Sequence, residues 1–220
     1  MPSSGLRRLP VYLLLDCSGS MMGDPIVAVN EGLGLIYSLL MREPRAVETV
    51  YLSVIRFADA AEQEDLTALV DFVPPALTAG GRTAMGSAFH VLVESIQNDL
   101  NATTDTTKKG DYRPLVYLLT DGQPTDVWQP EVAKIKALSG SQRPTIIALG
   151  CGDDADPAML RQVTDEVYLM RDATPEQIKA YFKWITGSIA GVSKALAGGG
   201  ETADMVAPTA AVSGVIKYGG

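Results

Sequence analysis

Oxygen-bearing side chains cluster where the first apolar segment of the chain ends. In LLLDCSGSMMGDP (residues 13–25), Asp16, Ser18 and Ser20 alternate by two directly after a run of apolar residues. A loop that leaves a buried strand can turn all three side chains toward one point. Carboxylate and hydroxyl oxygens are ligands of hard cations such as Mg²⁺ or Mn²⁺ rather than of Zn²⁺. This spacing therefore indicates a candidate site for a divalent cation.

Two further segments carry oxygen ligands at the ends of predicted elements. The loop TAGGRTAMG (78–86) presents Thr83 before a helix, and its adjacent glycines allow close backbone approach. Asp121 ends the apolar run PLVYLLTD (114–121). Two carboxylates beside neutral hydroxyls leave a divalent cation short of charge and ligands, so a carboxylate donated by a partner protein would complete its octahedron.

The elements that must position these residues are predicted from apolar runs that alternate with helical patterns. Runs with no polar alternation are typical of strands buried on both faces of a parallel sheet. We expect an α/β fold: a doubly wound, mostly parallel, Rossmann-like six-stranded sheet with one antiparallel edge strand and helices on both faces. The buried strands are predicted at 10–16, 49–57, 114–121, 144–150 and 166–172, and the helices at 24–43, 83–100, 129–139, 156–163 and 174–196.

The antiparallel edge is predicted from a second strand-like run that follows the strand at 49–57. Only a short polar stretch separates the two runs, which is too short for a crossover helix. We therefore expect a hairpin with residues 66–73 on the sheet edge. In the helix after the first strand, Asp24 is the predicted N-cap and Pro25 the first helical residue.

The topology of such a sheet brings the acidic residues together. In an open α/β sheet, ligands bind beyond the carboxyl ends of the strands, where the strand order reverses. The strands that end at Asp16 and Asp121 are neighbours across that reversal in the commonest six-stranded order. We expect both carboxylates and the loop that carries Thr83 to share one crevice.

Composition excludes several function classes. The net charge of −8 disfavours general nucleic-acid binding, and no apolar run reaches the length of a membrane helix. Arg7 and Arg8 precede an apolar run that Asp16 ends too early for a signal peptide. Cys17 and Cys151 match no thiol-ligand or redox spacing. We expect a cytoplasmic protein with no membrane partner.

These motifs resemble the signatures of von Willebrand factor A domains. DCSGSM is similar to their D-x-S-x-S motif, GGRTAMG to their threonine loop and LLTDGQPTD to their second aspartate loop, in the same order. The resemblance implies a single domain over 1–196, followed by a low-complexity tail over 197–220. It also implies a metal-ion-dependent adhesion site, with Mg²⁺, Mn²⁺ or Ca²⁺ as the cofactor. The implied direct ligands are Ser18, Ser20 and Thr83, and the implied ligands through water are Asp16 and Asp121.

Within that family the chain most resembles the bacterial TerY-type proteins of tellurite-resistance and stress-response clusters. This resemblance implies a cytoplasmic signalling assembly in which the partners are a neighbouring kinase and a PP2C-type phosphatase. A partner would present Asp or Glu to the cation. We predict a partner-contact rim of Met21, Met22, Arg82, Met85 and Gln123, with core filling as the alternative for the three methionines.

Alternative interpretations remain for the site and for other polar residues. The second function class is a metal-dependent hydrolase or phosphatase that uses Asp16. A phosphatase of the aspartyl-phosphate kind normally has a second carboxylate two residues after the first, for acid–base work. In this chain that position is Ser18. We therefore expect a binding protein rather than an enzyme. Asp126, the run 153–156 and His90 are expected to be structural. VSGVIKYGG in the tail could extend this sheet or that of another molecule.

Overall fold

Seven strands form one sheet in the computed structural model, which describes residues 7–101, 110–198, 208 and 212–219. The strands are β1 (Leu9–Asp16), β2 (Val50–Phe57), β3 (Ala61–Ala68), β4 (Leu115–Thr120), β5 (Thr145–Cys151), β6 (Val167–Met170) and β7 (Val215–Lys217). Their order across the sheet is β3-β2-β1-β4-β5-β6-β7. The five central strands are parallel, and both β3 and β7 pair antiparallel at the edges.

Helices cover both faces of the sheet, as the unbroken apolar strands predict. They are α1 (Asp24–Leu40), α2 (Pro44–Thr49), α3 (Met85–Asp99), α4 (Gln129–Ala137), α5 (Pro157–Val163) and α6 (Pro175–Ala197). Side chains of α1, α2 and α6 share one buried cluster with one face of the sheet, and those of α3, α4 and α5 share another with the opposite face. The doubly wound α/β prediction is confirmed.

The number of strands is seven rather than the predicted six, because part of the predicted tail enters the sheet. Strand β7 pairs with β6, and Val212 and Val215 are buried against the core. The tail segment VSGVIKYGG therefore extends the sheet of its own chain. Residues 199–207, 209–211 and 220 of the predicted tail lie outside the described residues.

The edge strand of the hairpin lies earlier than predicted. The structure places it at Ala61–Ala68, whereas the sequence indicated 66–73 because that run is the more apolar. An edge strand that faces solvent on one side does not require apolar residues, and charged side chains protect it from pairing with other chains. Leu69 and Phe72 instead lie in the chain beyond the strand and pack into the core.

The start of α1 also differs from the prediction. Gly23, at φ 88°, occupies the N-cap position, and the Asp24 side chain makes no cap hydrogen bond. Asp24 lies in the first turn, where its negative charge interacts favourably with the helix dipole. Pro25 follows it, as expected. The positive φ is available at low cost only to glycine, which accounts for the residue at this position.

None of the helices in the described parts of the chain combines the length and the hydropathy that a membrane crossing requires.

Candidate metal centre

The predicted metal ligands lie at the carboxyl edge of the sheet, where the strand order reverses. Asp16 is the last residue of β1, and Asp121 directly follows β4. These strands are adjacent and parallel, with Leu15 opposite Leu119. Because the chain leaves β1 toward one side of the sheet and β4 toward the other, a crevice opens between the two loops.

The Asp16 carboxylate is held from two sides. Its Oδ1 accepts a hydrogen bond of 2.8 Å from the Ser18 backbone N–H, and its Oδ2 accepts one of 2.6 Å from the Thr120 hydroxyl. Asp16 and Thr120 are both fully buried. The carboxylate therefore has a fixed orientation beneath the loop that carries the two serines.

A chain of hydrogen bonds links the serines to the second aspartate. Ser18 Oγ lies 3.0 Å from Ser20 Oγ, and Ser20 Oγ donates a 2.8 Å hydrogen bond to Asp121 Oδ1. Ser18 is buried, whereas Ser20 is exposed and Asp121 is half-buried. The side-chain oxygens of these three residues therefore extend from the buried edge of the sheet to the protein surface.

The threonine loop is joined to the first loop by backbone hydrogen bonds. Gly19 N–H donates to Gly81 C=O at 3.1 Å, and Gly80 N–H donates to Cys17 C=O at 2.8 Å. A Cβ on Gly19 would lie 3.4 Å from the Gly81 oxygen, which shows how closely the two backbones approach.

The threonine loop is also joined to the second aspartate loop. Thr83 N–H donates to Thr125 Oγ1 at 3.2 Å, and Thr125 N–H donates to Thr83 C=O at 2.9 Å. A Cβ on Gly122 would lie 3.5 Å from the Thr83 hydroxyl, so this hydroxyl faces the residue after Asp121. All five predicted ligands therefore belong to three loops that are bonded to one another.

Burial disfavours the charged forms of the Asp16 and Asp121 carboxylates. Loss of hydration raises the pKa of Asp16, and hydrogen bonds from Ser18 and Thr120 oppose part of that rise. Burial also raises the pKa of Asp121, to which the nearby charge of Asp16 adds, while the Ser20 hydroxyl opposes it. A cation between these carboxylates would relieve their repulsion and compensate for their lost hydration.

The donor set fits a hard divalent cation. Two carboxylates supply two negative charges, and three hydroxyls supply neutral oxygen ligands, which is the chemistry that Mg²⁺, Mn²⁺ and Ca²⁺ share. Within the described residues, no group of three or more His, Cys, Asp or Glu side chains is placed to hold a metal. A site at this edge would therefore depend on Ser18, Ser20 and Thr83 as well as on the acids.

The predicted partner-contact rim is only partly at the surface. Met22 is 64% exposed, and Arg82 and Gln123 are also exposed. Met21 and Met85 are 1% and 0% exposed, so their prediction as contact residues is wrong. Met21 packs in the core cluster shared with α1 and α6, and Met85 opens α3 beneath the threonine loop.

Two residues that support the site were missed or undervalued in the sequence. In the sequence, Thr120 is the last residue of an apolar strand. Its position directly before Asp121 is the signal that its hydroxyl could contact the site. Asp126 accepts 2.8 Å hydrogen bonds from the N–H groups of Gly86 and Ser87. It thus caps the start of α3, as its predicted structural role requires, and ties that helix to the second aspartate loop.

Asp156 and His90 are not among the oxygen ligands, and both have structural partners. Asp156 caps α5 by accepting hydrogen bonds from two backbone N–H groups. His90 is half exposed on α3, with ring nitrogens 3.4 Å from Glu94 and from Glu131. Cys17 and Cys151 are free and buried, and burial raises the pKa of the Cys17 thiol to about 11.

The fold of this chain is similar to that of solved structures that include an adhesin and a matrix protein. The SpaC pilus adhesin of Lactobacillus rhamnosus GG matches with a TM-score of 0.64 and 15% identity, over 86% of this chain and 31% of that one. Proximal thread matrix protein 1 from the mussel byssus, with a zinc-occupied MIDAS motif, matches with a TM-score of 0.57 and 19% identity, over 84% and 48%. At such low identities the TM-scores show a shared fold alone, and this chain spans less than half of either protein.

A minor pilin gives a similar result over more of its own length. The PilB minor pilin of Streptococcus sanguinis matches with a TM-score of 0.59 and 12% identity, over 91% of this chain and 65% of that one. Comparison of the sequence with curated proteins gives no match. The profile of the von Willebrand factor type A domain matches residues 11–183, a span that contains all three loops of the candidate centre. The chain therefore belongs to the von Willebrand factor type A domain family.

Proposed function

We propose that this chain is a metal-ion-dependent protein-interaction module. In this proposal Ser18, Ser20 and Thr83 bind a divalent cation directly, and Asp16 and Asp121 hold it through water. A carboxylate from a partner protein completes the coordination. The observation that carries the proposal is the group of five side chains from three remote segments, which backbone and side-chain hydrogen bonds hold at one crevice.

The burial of the group supports an open position for a partner. Asp16 and Ser18 lie inside, while Ser20 is exposed and Asp121 is half-buried. A cation among these oxygens would be held from the protein side and would face solvent on the other. Such a cation can take a ligand from another molecule, whereas a structural cation is enclosed by its own chain.

We propose Mg²⁺ as the resident cation, with Mn²⁺ and Ca²⁺ as substitutes. Hydroxyl and carboxylate oxygens suit all three ions, and Mg²⁺ retains waters readily, which matches aspartates that act through water. The cation would supply a positive charge that attracts the partner's carboxylate. The residues of this chain would fix its position and leave one side accessible.

The hydrogen bonds of Asp16 support binding rather than catalysis. A nucleophile or general base must reach its substrate with a free oxygen. Asp16 is fully buried and is fixed by donors from Ser18 N–H and the Thr120 hydroxyl, so a substrate at the surface cannot reach it. Each of its oxygens keeps a second acceptor site, which a water bound to the cation can use. We propose that the module is not an enzyme.

The proposed setting is a cytoplasmic stress-response assembly of the TerY type, with a kinase and a PP2C-type phosphatase as partners. The motifs DCSGSM and LLTDGQPTD support this narrower placement through their resemblance to that group. The free thiols of Cys17 and Cys151 also support a reducing compartment.

Affinity capture tests the proposed function. The full chain, immobilised in Mg²⁺, is expected to retain a recombinant kinase or phosphatase encoded beside it and to release that partner in EDTA. A Ser20→Ala variant is expected to lose the partner, because it lacks an exposed ligand oxygen. The matched control is Ser38→Ala, whose hydroxyl lies in α1 and bonds only to a backbone oxygen. Retention that is unchanged by EDTA would contradict the proposal.

A further inference from the structure

A groove of about 650 Å³ runs beside the candidate metal centre, between the β2–β3 hairpin and the chain segment 73–80. We propose that this groove, the hairpin groove, holds an extended segment of the partner protein. That segment carries an acidic residue for the cation, a basic residue about three positions away and apolar residues between them. The inference rests on the proposed function and specifies the chemistry of its partner.

The hairpin groove is continuous with the metal-binding loops. Cys17 and Gly80 line its inner end, and they are joined by the 2.8 Å hydrogen bond between Gly80 N–H and Cys17 C=O. Cys17 stands between Asp16 and Ser18 in the D-x-S-x-S motif. The lining of the groove therefore includes residues of two metal-binding loops, and a chain segment bound at the cation lies close to the groove.

Both walls of the hairpin groove are fixed by side-chain hydrogen bonds. The Asn30 side chain of α1 donates to Leu77 C=O at 2.9 Å and accepts from Leu77 N–H at 2.8 Å, which clamps the segment 73–80. On the other wall, Arg56 of β2 bonds to Glu62 and Glu64 of β3. The groove is thus preformed, which lowers the entropic cost of binding a segment.

The hairpin wall has a negative charge that can select a basic residue. Arg56 faces both Glu62 and Glu64, so these three side chains sum to a charge of −1. The Glu62 and Glu64 side chains remain 67% and 45% exposed despite these ion pairs. A lysine or arginine in the groove would balance the excess charge, and an acidic residue there would be repelled.

The opposite wall is apolar and cannot extend the sheet. Val73 is 80% exposed, and Pro74, Pro75 and Ala76 continue this wall. The two prolines have no backbone N–H to donate, so this wall cannot form a regular ladder with an incoming strand. Side-chain contact with Val73 and the prolines would therefore hold the occupant, which favours apolar residues in its middle.

The register of the sheet sets the spacing between the acidic and basic residues. Asp16 lies opposite Phe57 of β2, and the adjacent Arg56 lies opposite Glu62 of β3. Glu62 is thus two strand spacings from the end of β1, or roughly 10 Å. An extended chain covers that distance in about three residues. The basic residue is therefore expected about three positions from the acidic one, on one side of it.

A peptide selection tests this inference with the full chain as bait. The probe is a displayed library of twelve-residue peptides with one fixed central glutamate, selected in Mg²⁺ and eluted with EDTA. We expect the eluted peptides to be enriched in lysine or arginine about three positions from the glutamate, with apolar residues between. For one such peptide made synthetically, a Glu62→Gln, Glu64→Gln double variant should lower the affinity about fivefold. Its dependence on Mg²⁺ should be unchanged.

A control variant separates the groove from the general charge of the chain. Glu48→Gln with Glu94→Gln removes two exposed carboxylates from helices α2 and α3, away from the groove. This variant should bind the peptide as the original chain does. EDTA-eluted peptides without a basic preference, or equal losses in both double variants, would overturn the inference and leave the proposed function intact. Complete absence of EDTA-eluted peptides would contradict both.

Discussion

Two acidic regions lie at the carboxyl edge of the sheet, and the structure uses them differently. The run at 153–156, after β5, has more carboxylates in sequence, but Asp153 and Asp154 are exposed and Asp156 caps the helix that follows it. Asp16 and Asp121 are isolated in sequence, yet hydroxyls from other segments bond to both. The proposed cation site therefore depends on the convergence of remote loops rather than on the density of acids in one loop.

The partners of each carboxylate explain this difference. Asp156 bonds to the backbone N–H groups of Ala158 and Met159, so its charge serves its own helix. Asp16 bonds to Thr120, which is 104 residues away, and its charge is placed beneath Ser18 and Ser20. Variants in the two regions should separate cation binding from helix capping.

The largest expected effect is the loss of cation binding in Asp16→Ala. This variant removes one of the two charges at the site and the acceptor that orients Ser18. We expect the affinity for Mn²⁺ to fall by at least about 100-fold, measured by calorimetric titration. Asp153→Ala, which removes an exposed charge from the other region, should bind Mn²⁺ nearly as the original chain does. Equal losses in the two variants would contradict the distinction.

A smaller effect is expected for Thr120→Val, which keeps the shape of the side chain and removes its hydroxyl. Because Asp16 Oδ2 then lacks its 2.6 Å donor, the affinity for Mn²⁺ should fall about tenfold. Thr186→Val is the control, since it removes another buried hydroxyl that donates within α6. If Thr120→Val and Thr186→Val bind Mn²⁺ equally well, the hydroxyl does not position Asp16.

The smallest effect concerns the two helix caps. Asp126→Ala and Asp156→Ala should each lower the free energy of unfolding by about 1 kcal/mol, as measured by urea denaturation, because each removes two cap hydrogen bonds. Asp126 also ties α3 to the second aspartate loop. Only Asp126→Ala should therefore weaken Mn²⁺ binding as well. Weaker binding in Asp156→Ala but not in Asp126→Ala would show that the link from Asp126 to α3 does not support the site.

The buried part of the fold was predictable from the sequence because its strands are unbroken apolar runs. The central strands and the long helices fall within a few residues of their predicted bounds, and the resemblance to the family supplied the three loops. The edges were harder to predict. Strand β3 is polar and β7 has three residues, so neither has the apolar signal of a buried strand.

The convergence of the three loops could be predicted from the sequence, but the surroundings of the candidate site could not. Asp16, Ser18 and Asp121 lie in recognisable motifs, whereas the exposure of a methionine depends on how its loop turns. Met21 and Met22 are adjacent in sequence, yet one is buried and the other is 64% exposed. The role of Thr120 depends on the alignment of β1 with β4, which the residue types alone do not reveal.

Direct titration of Mn²⁺ into the full chain tests the central claim, with water-proton relaxation as the readout. We predict one saturable ion per chain that remains in contact with exchanging water and is displaced by Mg²⁺. The Asp16→Ala variant should show no saturable binding over the same range. An ion that binds both chains equally, or a chain that binds no ion, would contradict the metal-dependent role.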